Sequence, residues 1–160
     1  MKVLTLTQPW ATLVAIGANL IETRDWPTRY TGPLAIHAAK GFPREARELC
    51  GERPFRDALA AAGYSSAGQL PRGAVVAVAN LESLLVCRPS TLREIRARSK
   101  RGELPPHEAE FGDFSDGRYG FVLGDVRRVE PPLPARGMLG LWELPADVEA
   151  LVLERCADRR

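Results

Sequence analysis

The stretch AVVAVANL at residues 74–81 constrains the fold more than any other part of the sequence. It is apolar at positions that point to both faces of an extended strand, and the turn-forming Leu70-Pro71-Arg72-Gly73 precedes it. A strand that is buried on both faces lies in the interior of a sheet, with further layers of structure on each side. We therefore expect a sheet-based fold in which residues 74–81 form the central strand.

Shorter strands are predicted around this central strand. In residues 34–39 the apolar Leu34, Ile36 and Ala38 occupy every second position, as in a half-buried strand. Further strands are predicted at residues 2–7, 20–24, 119–129 and 138–144, and short helices at 9–16, 43–62, 90–101 and 147–157. This order favours an α+β fold, a small mixed β-barrel of about six strands, over a doubly wound sheet. The sequence has no internal repeat and no long linker, so one domain is predicted over residues 1–160.

Charge restricts the classes of partner only weakly. The formal net charge is +2, and a nearly neutral protein can still carry a basic face. All basic residues except three lysines are arginines, which suit bidentate contact with phosphate and base edges, although a GC-rich genome explains the same bias. Arg93 and Arg96 belong to a basic cluster on the predicted helix 90–101. That helix is either a phosphate-binding stripe or, because acidic residues follow it at 103–116, an ordinary solvated surface.

Several kinds of site have no support in the sequence. Cys50, Cys87 and Cys156 are far apart and form no CxxC pair, so we expect no metal site. The sequence contains neither GxGxxG nor a P-loop, and no cofactor is expected. No apolar run has the length of a signal peptide or a membrane span, which predicts a cytoplasmic protein with no membrane partner.

Five stretches carry a resemblance to a known family. They are LTLTQPWA at 4–11, GANLIETR at 17–24, GPLAIHAA at 32–39, PRGAVVA at 71–77 and GMLGLW at 137–142. They resemble the ASCH domain family, and the resemblance extends over nearly the whole chain. The resemblance implies a PUA-like β-barrel with helices at the rim and a cleft beside the first helix. Members are associated with RNA binding, transcriptional coactivation or enzymology, including an amidohydrolase acting on N4-acetylcytidine and a ribonuclease.

One family motif departs from its usual form here. The pattern Gly-x-Lys-x-x-Glu-x-Arg is similar to Gly17, Asn19, Glu22 and Arg24, with Asn19 at the lysine position. By resemblance, the amidohydrolase members use that lysine, a threonine where this chain has Glu22, and a downstream glutamate that corresponds to Glu82. Because two of these three positions differ, the resemblance favours a binding module over that chemistry.

The first candidate site residues lie around the first helix and second strand. Gln8 stands where backbone N–H groups at a helix start can meet phosphate or carbonyl oxygens. Glu22 and Arg24 share one strand face, where Arg24 can contact phosphate or a base edge. Trp10 either stacks on a base or packs in the core. Trp26 either extends the row of Glu22 and Arg24 or covers the barrel rim.

A second group of candidates follows the third and fourth strands. His37 is either an acid–base group or a structural histidine, and Lys40 is either a solvated lysine or the cation that Asn19 does not offer. Glu82, predicted at the end of the central strand, can act in proton transfer at the mouth of an apolar barrel. Tyr119 either closes over a ligand or begins a buried strand.

Three functions are consistent with these residues. The first is a module that binds RNA or a nucleoside or nucleotide in the cleft. The second is a metal-independent hydrolase of an N4-acylated cytidine-type nucleoside or of RNA. In it Glu82 or Glu22 is the general base, Lys40 or Arg24 stabilises the oxyanion and Gln8 orients the substrate. The third is a protein-interaction adaptor. The sequence leaves the oligomeric state open.

Overall fold

The computed structural model describes residues 1–157, and the last three residues of the predicted domain lie outside the described part. The strands are β1 (Lys2–Leu6), β2 (Ile21–Arg24), β3 (Gly32–Ala38), β4 (Ala74–Val86), β5 (Tyr119–Pro134) and β6 (Leu141–Glu143). The helices are α1 (Trp10–Ala15), α2 (Arg44–Leu49), α3 (Phe55–Ala61), α4 (Thr91–Lys100), α5 (Glu108–Phe111) and α6 (Ala146–Ala157). A single 3-10 turn lies at Ala67–Gln69.

All six strands join one mixed sheet, which is curved into a half-barrel. The strand order is β2-β5-β4-β3-β1-β6. β1 and β3 are parallel, and the other paired strands are antiparallel. β4 has a strand on each side and is buried throughout residues 74–79, which confirms the predicted central strand. The α+β class and the six strands are confirmed as well.

The sheet is covered on both faces, and strand alternation decides which side chain goes to which face. On β3, Leu34 and Ile36 pack in one apolar cluster with Val14 of α1. Ala35, between them, packs in a second cluster with Val152 of α6. Because apolar burial is the main favourable contribution to folding, these two layers fix the sheet between α1 and α6.

β4 is longer than the sequence predicts. It continues past Leu81 to Val86 through a bulge between Leu81 and Ser83, still paired with β5. Glu82 therefore lies inside the strand and not at its end, so the predicted position is wrong. Glu82 and Ser83 are exposed, which explains why the apolar pattern stops before the strand does.

The acidic segment between α4 and β5 is not only a loop. It contains the one-turn helix α5, in which Glu108, Ala109 and Phe111 are buried. So short a helix has no apolar period that a sequence pattern can reveal. α5 brings a carboxylate and an aromatic ring to the start of β2.

Candidate functional site

A cleft opens between the start of α1, β2 and the segment around α5. Its volume is about 360 Å³, which lies in the range of pockets for small organic ligands. The side chains in its wall include three carboxyl groups, three aromatic rings and one arginine, which is paired with one of the carboxylates. They are Glu22, Glu110, Asp113, Trp10, Phe55, Phe111 and Arg118.

Glu22 is the buried carboxyl group of this cleft. Its residue is 7% exposed, the Asn19 amide Nδ2 donates to its Oε2 at 3.3 Å, and an Arg24 guanidinium nitrogen is 3.8 Å from its Oε1. Burial raises the pKa of Glu22 to about 7, against the opposing effects of Arg24 and the Asn19 amide. A carboxyl group with this pKa gains or loses a proton near neutral pH.

Asn19 supplies this carboxyl group with a neutral donor. It is fully buried, and its Oδ1 has no hydrogen-bond partner within residues 1–157. An ammonium group at this position would favour the ionised carboxylate and lower the pKa of Glu22. With asparagine there, the pKa of Glu22 stays high.

Glu108 is a second buried carboxyl group, and the sequence analysis missed it. It is fully buried, and its carboxylate accepts the N–H of Leu20 at 2.9 Å and that of Ile21 at 2.7 Å. Burial raises the pKa of Glu108 to about 7, although these two backbone bonds oppose the shift. It contributes in turn to the raised pKa of Glu22. In the sequence it is one acid among many in an apparent loop, and no local signal distinguishes it.

Aromatic side chains form one wall of the cleft. The rings of Trp10 and Phe55 meet edge to face with centroids 6.1 Å apart, and those of Phe55 and Phe111 with centroids 5.0 Å apart. Trp10 Nε1 donates to the Phe111 carbonyl oxygen at 2.6 Å, which fixes the indole. Trp10 is partly exposed, so it packs on the interior and also faces the cleft.

Gln8 does not line the cleft. It is fully buried, its Oε1 accepts the N–H of Thr12 at 3.0 Å, and its Nε2 donates to the Pro71 carbonyl oxygen at 2.7 Å. Both polar atoms are therefore used within the fold, which leaves neither for a ligand. The side chain binds the first turn of α1 to the segment before β4.

Arg24, Trp26 and Tyr119 lie side by side beyond Glu22. The Arg24 guanidinium carbon is 5.6 Å from the centroid of the Trp26 ring, and Trp26 packs edge to face on Phe121 at 5.2 Å. Tyr119 pairs with Arg24 across the β2–β5 ladder and is partly buried. These residues extend the surface next to the cleft but are not part of the lining described for it.

His37 and Lys40 line a different cavity, at the end of β3. Lys40 is therefore not the cation that complements Glu22, and the expectation that it replaces the family lysine is wrong. The His37 ring is 1% exposed, and its Nε2 is 2.7 Å from the Ala135 carbonyl oxygen. Burial lowers the pKa of His37, so at neutral pH the ring is neutral and Nε2–H donates this bond.

Glu82 is not brought to either cavity. It is exposed on β4, and its carboxylate covers Gly124, where an added Cβ atom would lie 1.9 Å from Oε1. The two catalytic candidates Glu82 and Glu22 are thus on separate surfaces of the sheet region. Of these two, only Glu22 occupies an enclosed, partly apolar setting.

The basic helix α4 is partly neutralised. Arg98 and Arg101 both pair with Glu103, at 3.5 and 2.8 Å. Arg93 and Arg96 remain exposed, and Arg96 lines a shallow cavity with Lys100. Lys100 is exposed too, and none of these three cations has an ion-pair partner within residues 1–157, so the predicted stripe keeps its charge while its neighbours Arg98 and Arg101 are neutralised.

Residues 1–157 contain neither a metal-binding cluster nor a membrane-spanning helix. No group of three or more His, Cys, Asp or Glu side chains is arranged to hold a metal ion. No helix of this part of the chain is both long and apolar enough to cross a membrane.

Comparison with known proteins identifies the fold. No family model matches the sequence, and no curated protein matches it. The crystal structure of the ASCH protein from Zymomonas mobilis is similar at a TM-score of 0.52 and 15% identity, covering 96% of this chain and 93% of that one. Crystal structures of a tyrosine-to-phenylalanine and a serine-to-alanine mutant of that protein match with TM-scores of 0.52 and 0.51 at 15% identity, each covering 96% of this chain. They cover 96% and 94% of those chains. With the sheet order and the covering helices, this similarity shows that the chain has the PUA-like fold of ASCH domains.

Proposed function

We propose that this chain binds RNA or a nucleotide and that one base enters the cleft at Glu22. The observation that carries the proposal is the position of the Glu22 carboxyl group beside an aromatic wall. Carboxylates accept hydrogen bonds from the N–H groups of base edges. Aromatic side chains stack on the faces of unpaired bases. The cleft offers both contacts to one flat ring.

The surroundings of the cleft support the same class of ligand. Arg118 lies at its rim, where its Nε donates to the Asp113 carbonyl oxygen at 3.1 Å and is 3.4 Å from Asp113 Oδ2, and Arg24 lies next to the cleft, 3.8 Å from Glu22 Oε1. Guanidinium groups at a rim are suited to the phosphates on either side of an inserted base. The resemblance to ASCH domains, whose members include RNA-binding proteins, agrees with this choice.

The proposal is tested with fluorescence anisotropy of labelled single-stranded RNA homopolymers at two salt concentrations. Wild-type protein should bind the RNA, and its affinity should fall as the salt concentration rises, because phosphate contacts release counterions. Glu22→Gln should lose about 10-fold or more of its affinity for bases with N–H donors, the effect of one well-formed base contact. Glu154→Gln is the matched control, since Glu154 is exposed on α6 and is not part of the cleft lining. Equal affinity of Glu22→Gln and wild type would refute a base at Glu22.

A hydrolase is the second candidate, favoured by the pKa of Glu22. A general base works best with a pKa near the operating pH, and burial brings the pKa of Glu22 to about 7. Glu22 would take a proton from the water that attacks the acyl carbon, and the guanidinium of Arg24 would stabilise the oxyanion that forms. The carbon–nitrogen bond would then break as Glu22 returns the proton to the amine leaving group. Lys40 and Glu82 have no role in this proposed reaction, because neither lines the cleft.

Turnover separates the two candidates. Wild-type protein is incubated with N4-acylated cytidines and with RNA, and product formation is followed by liquid chromatography. A hydrolase would lose at least about 100-fold in rate in Glu22→Gln, the usual contribution of a general base, while Glu154→Gln keeps the wild-type rate. Saturable binding without turnover would exclude the hydrolase and leave the binding module as the remaining candidate of the two.

A further inference from the structure

A second cavity, of about 570 Å³, opens where β1 and β3 end and the segment after β5 begins. Its lining includes Thr5, His37, Lys40, Arg136 and Met138. None of the residues that line it also lines the Glu22 cleft. The cavity is therefore a separate feature, and the function proposed for the cleft does not account for it.

Positive charge gathers at this cavity without acidic partners. Lys40 and Arg136 are the charged residues in its lining, both are exposed, and neither has an ion-pair partner within residues 1–157. Arg72 adds a third cation, because its guanidinium donates to the Lys40 carbonyl oxygen at 3.3 Å. Several arginines elsewhere are paired with carboxylates, among them Arg44 with Glu48 at 2.9 Å. Unpaired cations around one cavity create a positive potential that favours an anion.

The wall that carries Arg136 is fixed on both sides. The Ala135 carbonyl oxygen accepts a hydrogen bond from His37 Nε2 at 2.7 Å. The Gly137 backbone lies over the same ring, and an added Cβ atom there would come within 2.7 Å of His37 Cε1. His37 in turn packs edge to face on Trp142. Arg136 is therefore held between two anchored neighbours, which lowers the entropy lost when a ligand binds.

The rim of the cavity is apolar as well as basic. Met138 is 55% exposed and Leu139 is 98% exposed. Exposed apolar side chains next to unpaired cations suit a ligand that combines an anionic group with flat or apolar parts. A phosphate attached to a sugar and a base has this character, whereas inorganic phosphate alone uses only the cations.

We propose that this cavity is a phosphate-binding site, distinct from the Glu22 cleft, that takes the phosphate of a nucleotide or of an RNA strand. Lys40 and Arg136 contact the phosphate, and Met138 and Leu139 contact the attached nucleoside. That the phosphate belongs to a nucleotide rests on the proposed function; the affinity for phosphate does not.

The two sites flank the same junction in the fold. Gln8 Nε2 donates to the Pro71 carbonyl oxygen. Trp10, two residues after Gln8, lines the cleft, and Gly73, two residues after Pro71, lines the cavity. One RNA strand with a base in the cleft can therefore continue towards the cavity.

The test combines NMR with RNA binding. Backbone amide shifts of Lys40, Gly73 and Gly137 are followed while inorganic phosphate, AMP or single-stranded RNA is added. Saturable shifts are expected in wild type and at least 10-fold weaker binding in the double variant Lys40→Gln/Arg136→Gln. For RNA, the plot of log K against log salt has a negative slope, which should be less steep by about 1.4 in the double variant because two phosphate contacts are lost. The matched control, Arg29→Gln/Arg127→Gln, removes the same charge from two exposed positions outside both sites and outside α4.

The outcomes separate this inference from the proposed function. No saturable shift with phosphate or AMP overturns the inference, whatever RNA does. RNA binding that is lost in Glu22→Gln but unchanged in the double variant excludes an RNA strand as the occupant of this cavity and leaves the cleft proposal standing. Phosphate and AMP binding that is unchanged in the double variant overturns the inference. If wild-type protein binds AMP through these amides but no RNA, the phosphate site stands and the RNA-binding function falls. If AMP binds more weakly than RNA, the phosphate in the cavity belongs to an RNA strand. If AMP binds more tightly than RNA, it belongs to a free nucleotide.

Discussion

Replacing Glu22 by glutamine should make the fold less sensitive to alkaline pH. Glutamine resembles the protonated carboxyl group and carries no charge at any pH. In the folded chain burial raises the pKa of Glu22 to about 7, from an ordinary value of 4.5 that applies when the chain unfolds. The stability from this group is therefore complete below pH 4.5 and is lost as the pH rises through 7.

The size of the effect follows from these two values. Between pH 5 and pH 8 the unfolded glutamate is ionised throughout, whereas the folded one must give up its proton in a buried site. The difference costs wild-type protein roughly 2–3 kcal/mol of unfolding free energy over this interval. Glu22→Gln does not have this cost, so its stability relative to wild type should improve by about that amount, or roughly 5–10 °C in Tm.

Urea unfolding at several pH values measures this difference directly. Each protein is compared with itself at pH 5 and pH 8, so any pH-independent cost of the substitution cancels. Glu103→Gln is the control, because Glu103 is exposed and its pKa is lowered by Arg101, so it stays ionised across the interval. Parallel pH profiles of wild type and Glu22→Gln would show that Glu22 is ionised in the fold at neutral pH, and the argument from burial would fail.

Further predictions concern the frame around the cleft. Glu108→Ala removes the acceptor of two backbone N–H groups at the start of β2, and urea unfolding should show a loss of about 2–4 kcal/mol; a loss below 1 kcal/mol would contradict this role. Gly120→Ala places a Cβ atom 2.7 Å from Ile21 Cγ2, a buried contact that cannot yield, so a loss of about 1–3 kcal/mol is expected. At Gly124 the nearest atom belongs to the exposed carboxylate of Glu82, which can turn away, so Gly124→Ala should lower Tm by less than Gly120→Ala does.

The sheet could be predicted because burial imposes a period on each strand. Alternation in β3 and continuous apolarity in β4 were sufficient, and both strands are where the pattern puts them. The extension of β4 beyond Leu81 could not be predicted, because a bulge exposes Glu82 and Ser83 while the backbone pairing continues. A hydrophobic pattern shows which side chains are buried. Where a strand is paired but its side chains are exposed, the sequence has no such pattern.

The site was predicted only where it is local in sequence. Asn19, Glu22 and Arg24 lie within six residues, and the structure brings them together. Lys40 was wrongly grouped with them, because β2 and β3 are consecutive in the chain but separated by β5 and β4 in the sheet. At about 4.8 Å per strand this separation is roughly 14 Å. Glu108 is 88 residues from Leu20, and its carboxylate accepts a hydrogen bond from the Leu20 N–H. A contact between residues so far apart cannot be predicted from local patterns in one sequence.

The partners of Glu22 determine what a ligand must supply. An ionised carboxylate has about four acceptor positions, and here it has one long bond from a neutral amide and a guanidinium at 3.8 Å. A base edge with two N–H donors fills the vacant positions and stabilises the ionised form, which lowers the pKa of Glu22 in the complex. Binding below pH 7 should therefore release a proton. Calorimetric titration at pH 6.5 in two buffers with different ionisation enthalpies measures this release, which should disappear in Glu22→Gln. Proton uptake by wild type would mean that the ligand prefers the protonated carboxyl group and accepts a hydrogen bond from it.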